Sequence, residues 1–93
     1  MTTINTMEQR CAYTLGYLKA IADDQYLEID LSGVELTQPS VKEAIRDVLG
    51  MLRRELKEAE KMYSKDPYDE DWDETRCEYA DLIEKAEKLL KEF

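Results

Sequence analysis

The chain has 93 residues, with 22 acids against 13 bases, no histidine and a formal net charge of −9 at pH 7. That length bounds it to one acidic domain, 1–93, which buries roughly 60 to 65% of its unfolded surface and leaves little room for a large internal pocket. The charge argues against direct nucleic-acid binding and against anionic membrane surfaces, both of which need clustered Lys and Arg.

The opening residues, Met1-Thr2-Thr3-Ile4-Asn5-Thr6, hold neither a basic run nor an apolar core. They do not read as a signal peptide, so the expected location is cytoplasmic. Cys11 and Cys77 lie far apart with no CxxC spacing, which fits reduced, buried thiols better than a disulfide framework.

Thr6-Met7-Glu8-Gln9 matches a capping box, and a first helix is expected over about 6–22. Met7, Cys11, Leu15, Leu18 and Ala22 recur at spacings of three and four, one apolar stripe. Beside it Ala12, Gly16 and Ala20 line up at i, i+4 and i+8, a shallow strip that another helix can approach closely. Residues 24–38 then read as an extended connector. Within it Tyr26-Leu27-Glu28-Ile29-Asp30-Leu31 alternates apolar and polar residues as a half-buried strand would, without a partner strand in the chain.

Pro39 and the capping-box pattern Ser40-Val41-Lys42-Glu43 open a second helix, expected over about 39–64. Its core stripe is Val41, Ile45, Val48, Leu52, Leu56, Ala59 and Tyr63; its opposite face carries Arg46, Arg53, Arg54, Lys57 and Lys61, with Gly50 among them. Asp66 before Pro67 reads as an N-cap followed by a first-turn proline, which starts a third helix over about 67–92. There Trp72, Thr75, Tyr79, Leu82, Ala86, Leu89 and Phe93 form an unbroken heptad-like seam. Asp81–Lys85, Glu84–Lys88 and Glu87–Lys91 add i, i+4 pairs on a solvated face. The short connection makes the last two helices antiparallel. The expected fold is therefore all-α, a small three-helix bundle built on a long antiparallel helical hairpin.

Chemistry is sparse. Without histidine, the commonest general base and metal ligand is missing, and no serine or cysteine sits in a nucleophile motif. The chain is not expected to be an enzyme, nor to hold a cofactor or metal. Asp69, Asp71 and Asp73 alternate as in a calcium loop, but the glycine and closing glutamate of an EF-hand are missing.

The distinctive segment is 66–78, where seven of thirteen residues are carboxylates and Arg76 is the one base. It holds six of the nine net negative charges, whereas residues 41–65 carry seven bases and five acids. Acids in a first helical turn favour the positive end of the helix dipole by roughly 0.3 to 1 kcal/mol each, and the hairpin brings Lys57, Lys61 and Lys65 near them, so a purely structural role is one reading. Thirteen helical residues also span about 20 Å, a length over which one DNA strand places about six phosphates. Seven carboxylates there approximate the charge density of a strand, with Trp72, Tyr68 and Tyr79 as desolvated anchors. On this second reading Asp66, Tyr68, Asp69, Glu70, Asp71, Trp72, Asp73, Glu74 and Glu78 bind a basic protein surface of a nucleic-acid-handling complex and inhibit it by mimicry or groove occlusion. Small size, acidity and missing catalytic groups are similar in type to phage-encoded inhibitors such as many anti-CRISPR proteins; the resemblance covers no specific motif and carries over no residue. The competing class is a helical oligomerisation module, a homodimer formed through the seam of the third helix or the strip Ala12, Gly16, Ala20.

Overall fold

A computed structural model describes residues 6–68 and 70–93, the side chain of Thr6 excepted. The Thr6 capping box and the partner-binding role of Asp69 lie outside the described residues. Three helices form the bundle: α1 (Thr6–Asp24), α2 (Gln38–Lys65) and α3 (Glu70–Glu92). No strand forms among the described residues. The molecule is an all-α three-helix bundle built on the α2–α3 hairpin, elongated to 57 × 23 × 18 Å.

The stripes pack as their spacing requires. Cys11, Leu15 and Leu18 of α1 meet Val41, Ile45, Val48 and Leu52 of α2 and Ile83 and Ala86 of α3 in one core. Leu18, Val41, Ile45, Val48, Leu52 and Ala86 are fully buried. On α3 the tightest contacts are Ile83 and Ala86, while Leu82 and Leu89 of the expected seam are half-buried. A bundle of three helices covers a broader face than a two-stranded seam, which draws Ile83 and Leu90 inward as well.

The connector keeps its alternation without becoming a strand. Leu31 is buried, Leu27 and Ile29 are half-buried against the core, and Glu28 and Asp30 face solvent. Asp30 Oδ1 accepts bonds from the Ser32 backbone N–H at 3.0 Å and its hydroxyl at 2.6 Å. These bonds hold the Asp30 carboxyl below its ordinary range and turn the chain back toward α2.

Two helix starts differ from expectation. α2 begins at Gln38 with Thr37 as N-cap and no side-chain capping bond, so Ser40 lies inside the first turn and its capping box is not used. Pro39 sits where a helix lacks intrahelical N–H partners anyway. Asp66 does not open α3. Its N–H donates to Met62 O at 3.1 Å and it ends α2, because a residue before proline is pushed out of the helical region. A turn through Pro67 and Tyr68 follows, and α3 starts at Glu70.

The small-residue strip is not filled. Ala12, Gly16 and Ala20 are exposed, and nothing lies within 4 Å of the position a Gly16 Cβ would take. Cys77, expected to be buried, is exposed, whereas Cys11 is buried. Gly50 is likewise exposed with open space around it, and α2 runs through it without interruption. Gly50→Ala is therefore expected to raise the unfolding free energy by about 1 kcal/mol, measured by urea denaturation; destabilisation would reveal a close approach that the monomer does not contain.

α1 ends in a Schellman turn. Leu27 N–H donates to Ala22 O at 2.8 Å and Tyr26 N–H to Asp23 O at 3.4 Å, and Leu27 drops its side chain against the core. Tyr26 occupies the left-handed position of that turn, φ 55°, which glycine normally takes. An L-residue pays roughly 1 to 2 kcal/mol there.

Candidate functional site

The acidic segment occupies an overhang. At 1.5 Å per residue the 19 residues of α1 span about 28 Å and the 28 residues of α2 about 42 Å. α1 and α2 start at the same end of the bundle. Arg10 donates to Glu92 O at 2.6 Å, its guanidinium 5.3 Å from the Phe93 ring centre, and Gln38 Nε2 donates to Phe93 O. At the other end of α1, Gln25 Nε2 donates to Glu78 Oε1 at 2.7 Å. Above that level α2 and α3 continue as a bare hairpin, and the main core stops at Leu56 and Tyr79.

Helical geometry makes the change of surface sharp. With 100° per residue, Glu92, Leu89, Lys85, Glu78, Glu74 and Asp71 share one line along α3. Leu89 lies with Arg10, Tyr13 and Thr14 around an open groove of about 460 Å³, and Lys85 lies beside Tyr17. The line that faces α1 lower down thus becomes, past the end of α1, a row of carboxylates. About 10 Å of rise separates Glu78 from Asp71.

Within the tip the side chains divide into two sets. Trp72, Met62 and Tyr63 are half-buried, and Ala59 is buried. Arg76 turns inward: its guanidinium lies 4.4 Å from the Tyr63 ring centre and pairs with Asp73 at 2.5 Å. Its Nε is shielded from solvent and has no hydrogen-bond partner among the described residues. The bond to Asp73 raises the Arg76 pKa above its already high ordinary value, so the cation is permanent. Tyr79 joins the seam, and burial, followed by the charges of Glu55 and Glu78, pushes its phenol pKa up.

The outward set is Asp66, Glu70, Asp71, Glu74 and Glu78, all exposed, with Tyr68 92% exposed at the turn. Of the described residues of the sequence-expected site, Asp73 and Trp72 are therefore half-buried, and Asp66, Tyr68, Glu70, Asp71, Glu74 and Glu78 are exposed. Among the described residues no ion pair joins Lys57, Lys61 or Lys65 to the segment; the ion pairs are Arg76–Asp73, Lys85–Asp81 at 3.0 Å and Arg53–Glu87 at 3.6 Å. Glu87 reaches across to α2 instead of along α3 to Lys91.

Sequence reasoning missed Gln25, Tyr26 and the inward fold of Arg76. A signal for the turn was present in the helical pattern ending at Asp24 and an apolar Leu27 three residues on, without the glycine that usually marks such a stop. Among the described residues no group of three acids or cysteines is arranged to hold a metal ion, and no helix is long and apolar enough to cross a membrane.

Fold and site together define a small all-α protein whose helical hairpin lifts an acidic tip clear of a three-helix base. Compared with known proteins, the chain matches no family model, no curated protein and no solved structure.

Proposed function

We propose that the chain is a small acidic protein-binding module that occupies a basic, nucleic-acid-binding surface of a partner and so inhibits it by charge mimicry or groove occlusion. The observation that carries the reading is Arg76. The one base of the segment is folded inward over Tyr63 and onto Asp73, so past the end of α1 the exposed charged side chains that α3 presents at the tip are all carboxylates, with Lys57, Lys61 and Lys65 exposed on the facing helix α2. Tyr68, almost wholly exposed beside them, adds an aromatic of the kind that dominates binding energy when desolvated.

A variant with Asp66, Glu70 and Glu74 all changed to Lys tests this. It is compared in a pull-down from cell lysate with wild type and with a control carrying the same charge change elsewhere, Glu35, Glu43 and Glu84 to Lys. The expected result is capture of a nucleic-acid-binding protein by wild type and control, lost at least about 100-fold by the tip variant and competed by DNA or RNA. Equal loss in both variants would reduce the effect to net charge, and equal capture by all three would remove the tip as an interface.

One observation favours a second reading. Ala12, Gly16 and Ala20 leave a shallow, uncovered strip along α1, suited to a helix of another copy. In that case the pull-down returns only the chain itself, and reversal of the tip charges leaves assembly unchanged.

A further inference from the structure

We infer that Tyr26 is a second anchor for the proposed basic partner, held rigid at the foot of the overhang so that its ring inserts into an apolar or cationic pocket of that protein. The inference rests on the reading above and adds a contact that the acidic segment does not contain. Tyr26 holds a left-handed backbone conformation, φ 55°, in a turn that glycine would complete with the same two hydrogen bonds. Non-glycine residues persist there when something repays the strain. The helix stop and the burial of Leu27 impose the conformation, but no contact of the ring within the molecule favours tyrosine over glycine there: the side chain is 91% exposed.

The turn is also stiff. Gln25 N–H donates to Ile21 O at 3.0 Å, and the Gln25 side chain ties the turn to Glu78, so the ring is presented from a fixed backbone and loses little freedom on binding. Position gives the partner its chemistry. The bond from Gln25 sets Tyr26 at the level of Glu78, about 12 Å of helix rise from the start of α3, with Tyr68 at the opposite end of the run. Two tyrosines thus bracket the exposed carboxylates along the long axis, and Asp23 and Asp24, both exposed, extend the negative surface beside Tyr26. A protein offering lysine or arginine between two ring-accepting pockets complements that pattern, and arginine can also stack on either ring.

The test uses the full chain and the protein that wild type captures and the tip-charge variant does not. Tyr26→Gly and Tyr26→Asn both suit the left-handed turn and remove the aromatic ring. Tyr26→Gly is expected to raise the folded-to-unfolded ratio about fivefold in urea titration while weakening affinity for the captured protein about tenfold or more, mainly through faster dissociation; Tyr26→Asn should weaken binding alike. A more stable protein that binds worse is the signature. Binding within about twofold of wild type by both variants overturns the Tyr26 assignment and leaves the tip reading standing. If the tip-charge variant keeps its capture, the tip reading fails and this inference fails with it.

Discussion

Leu18→Ala is expected to lower the unfolding free energy by about 3 kcal/mol, within the range of about 2 to 5 found when a buried leucine is truncated. Leu18 is 0% exposed and sits midway along α1, where that helix meets α2 in the common core. A domain of this size has roughly 5 to 14 kcal/mol in all, so about a fifth to three-fifths of its stability rests on one side chain. With a urea slope of about 1.5 kcal/mol per M, the unfolding midpoint should fall by about 2 M in a single transition, because two helices without the third bury too little to persist alone. Tyr13→Ala is the control on the same helix: Tyr13 is 77% exposed, and its loss should stay within about 0.5 kcal/mol. Equal small effects for both variants would mean that α1 is not docked through the Cys11–Leu15–Leu18 stripe.

The contrast between these two positions was legible in the sequence, since the spacing Cys11, Leu15, Leu18 already separates the packed face from Tyr13. The same holds for Val41 to Leu52 on α2, where a 3.6-residue period and a long run leave one solution. Boundaries were less legible for a local reason. Asp66-Pro67 suits the end of one helix as well as the start of another, and which helix takes the aspartate depends on the Met62 carbonyl waiting for a donor, a fact of three dimensions. Ser40 misled in the same way, because Pro39 already holds a helical φ and lets α2 begin upstream of it.

For the candidate site, composition exposed the acidic segment but not its faces. Sequence spacing assigns Arg76 to the same run as its carboxylates; only the proximity of Tyr63 on the facing helix draws it inward. Tyr26 was invisible for a stronger reason. Nothing in a tyrosine favours a left-handed backbone, so its conformation is dictated by the helix stop and by the burial of Leu27 rather than by its own propensity.

The largest functional effect is expected from ionic strength. Association of the chain with the proposed basic partner should slow by about 10- to 100-fold between about 0.01 M and 0.5 M salt, while dissociation changes less than about threefold. The reason lies in where the charge stands. Asp66, Glu70, Asp71, Glu74 and Glu78 are all exposed on the overhang, so their field acts through water and is cut off as the screening length shrinks from about 30 Å toward a few ångströms. Lys57 and Lys61 of α2 stand on the same overhang and offset part of that field, so the steering charge is the excess of carboxylates over these bases. Stopped-flow measurement of the captured complex separates the contributions: the Asp66, Glu70 and Glu74 to Lys variant should lose the salt dependence of association, whereas Tyr26→Gly should keep it and dissociate faster, since a desolvated ring acts after encounter. A flat salt profile for wild type would exclude charge mimicry and require the tip to act by shape, with Tyr26 and Tyr68 carrying the binding energy.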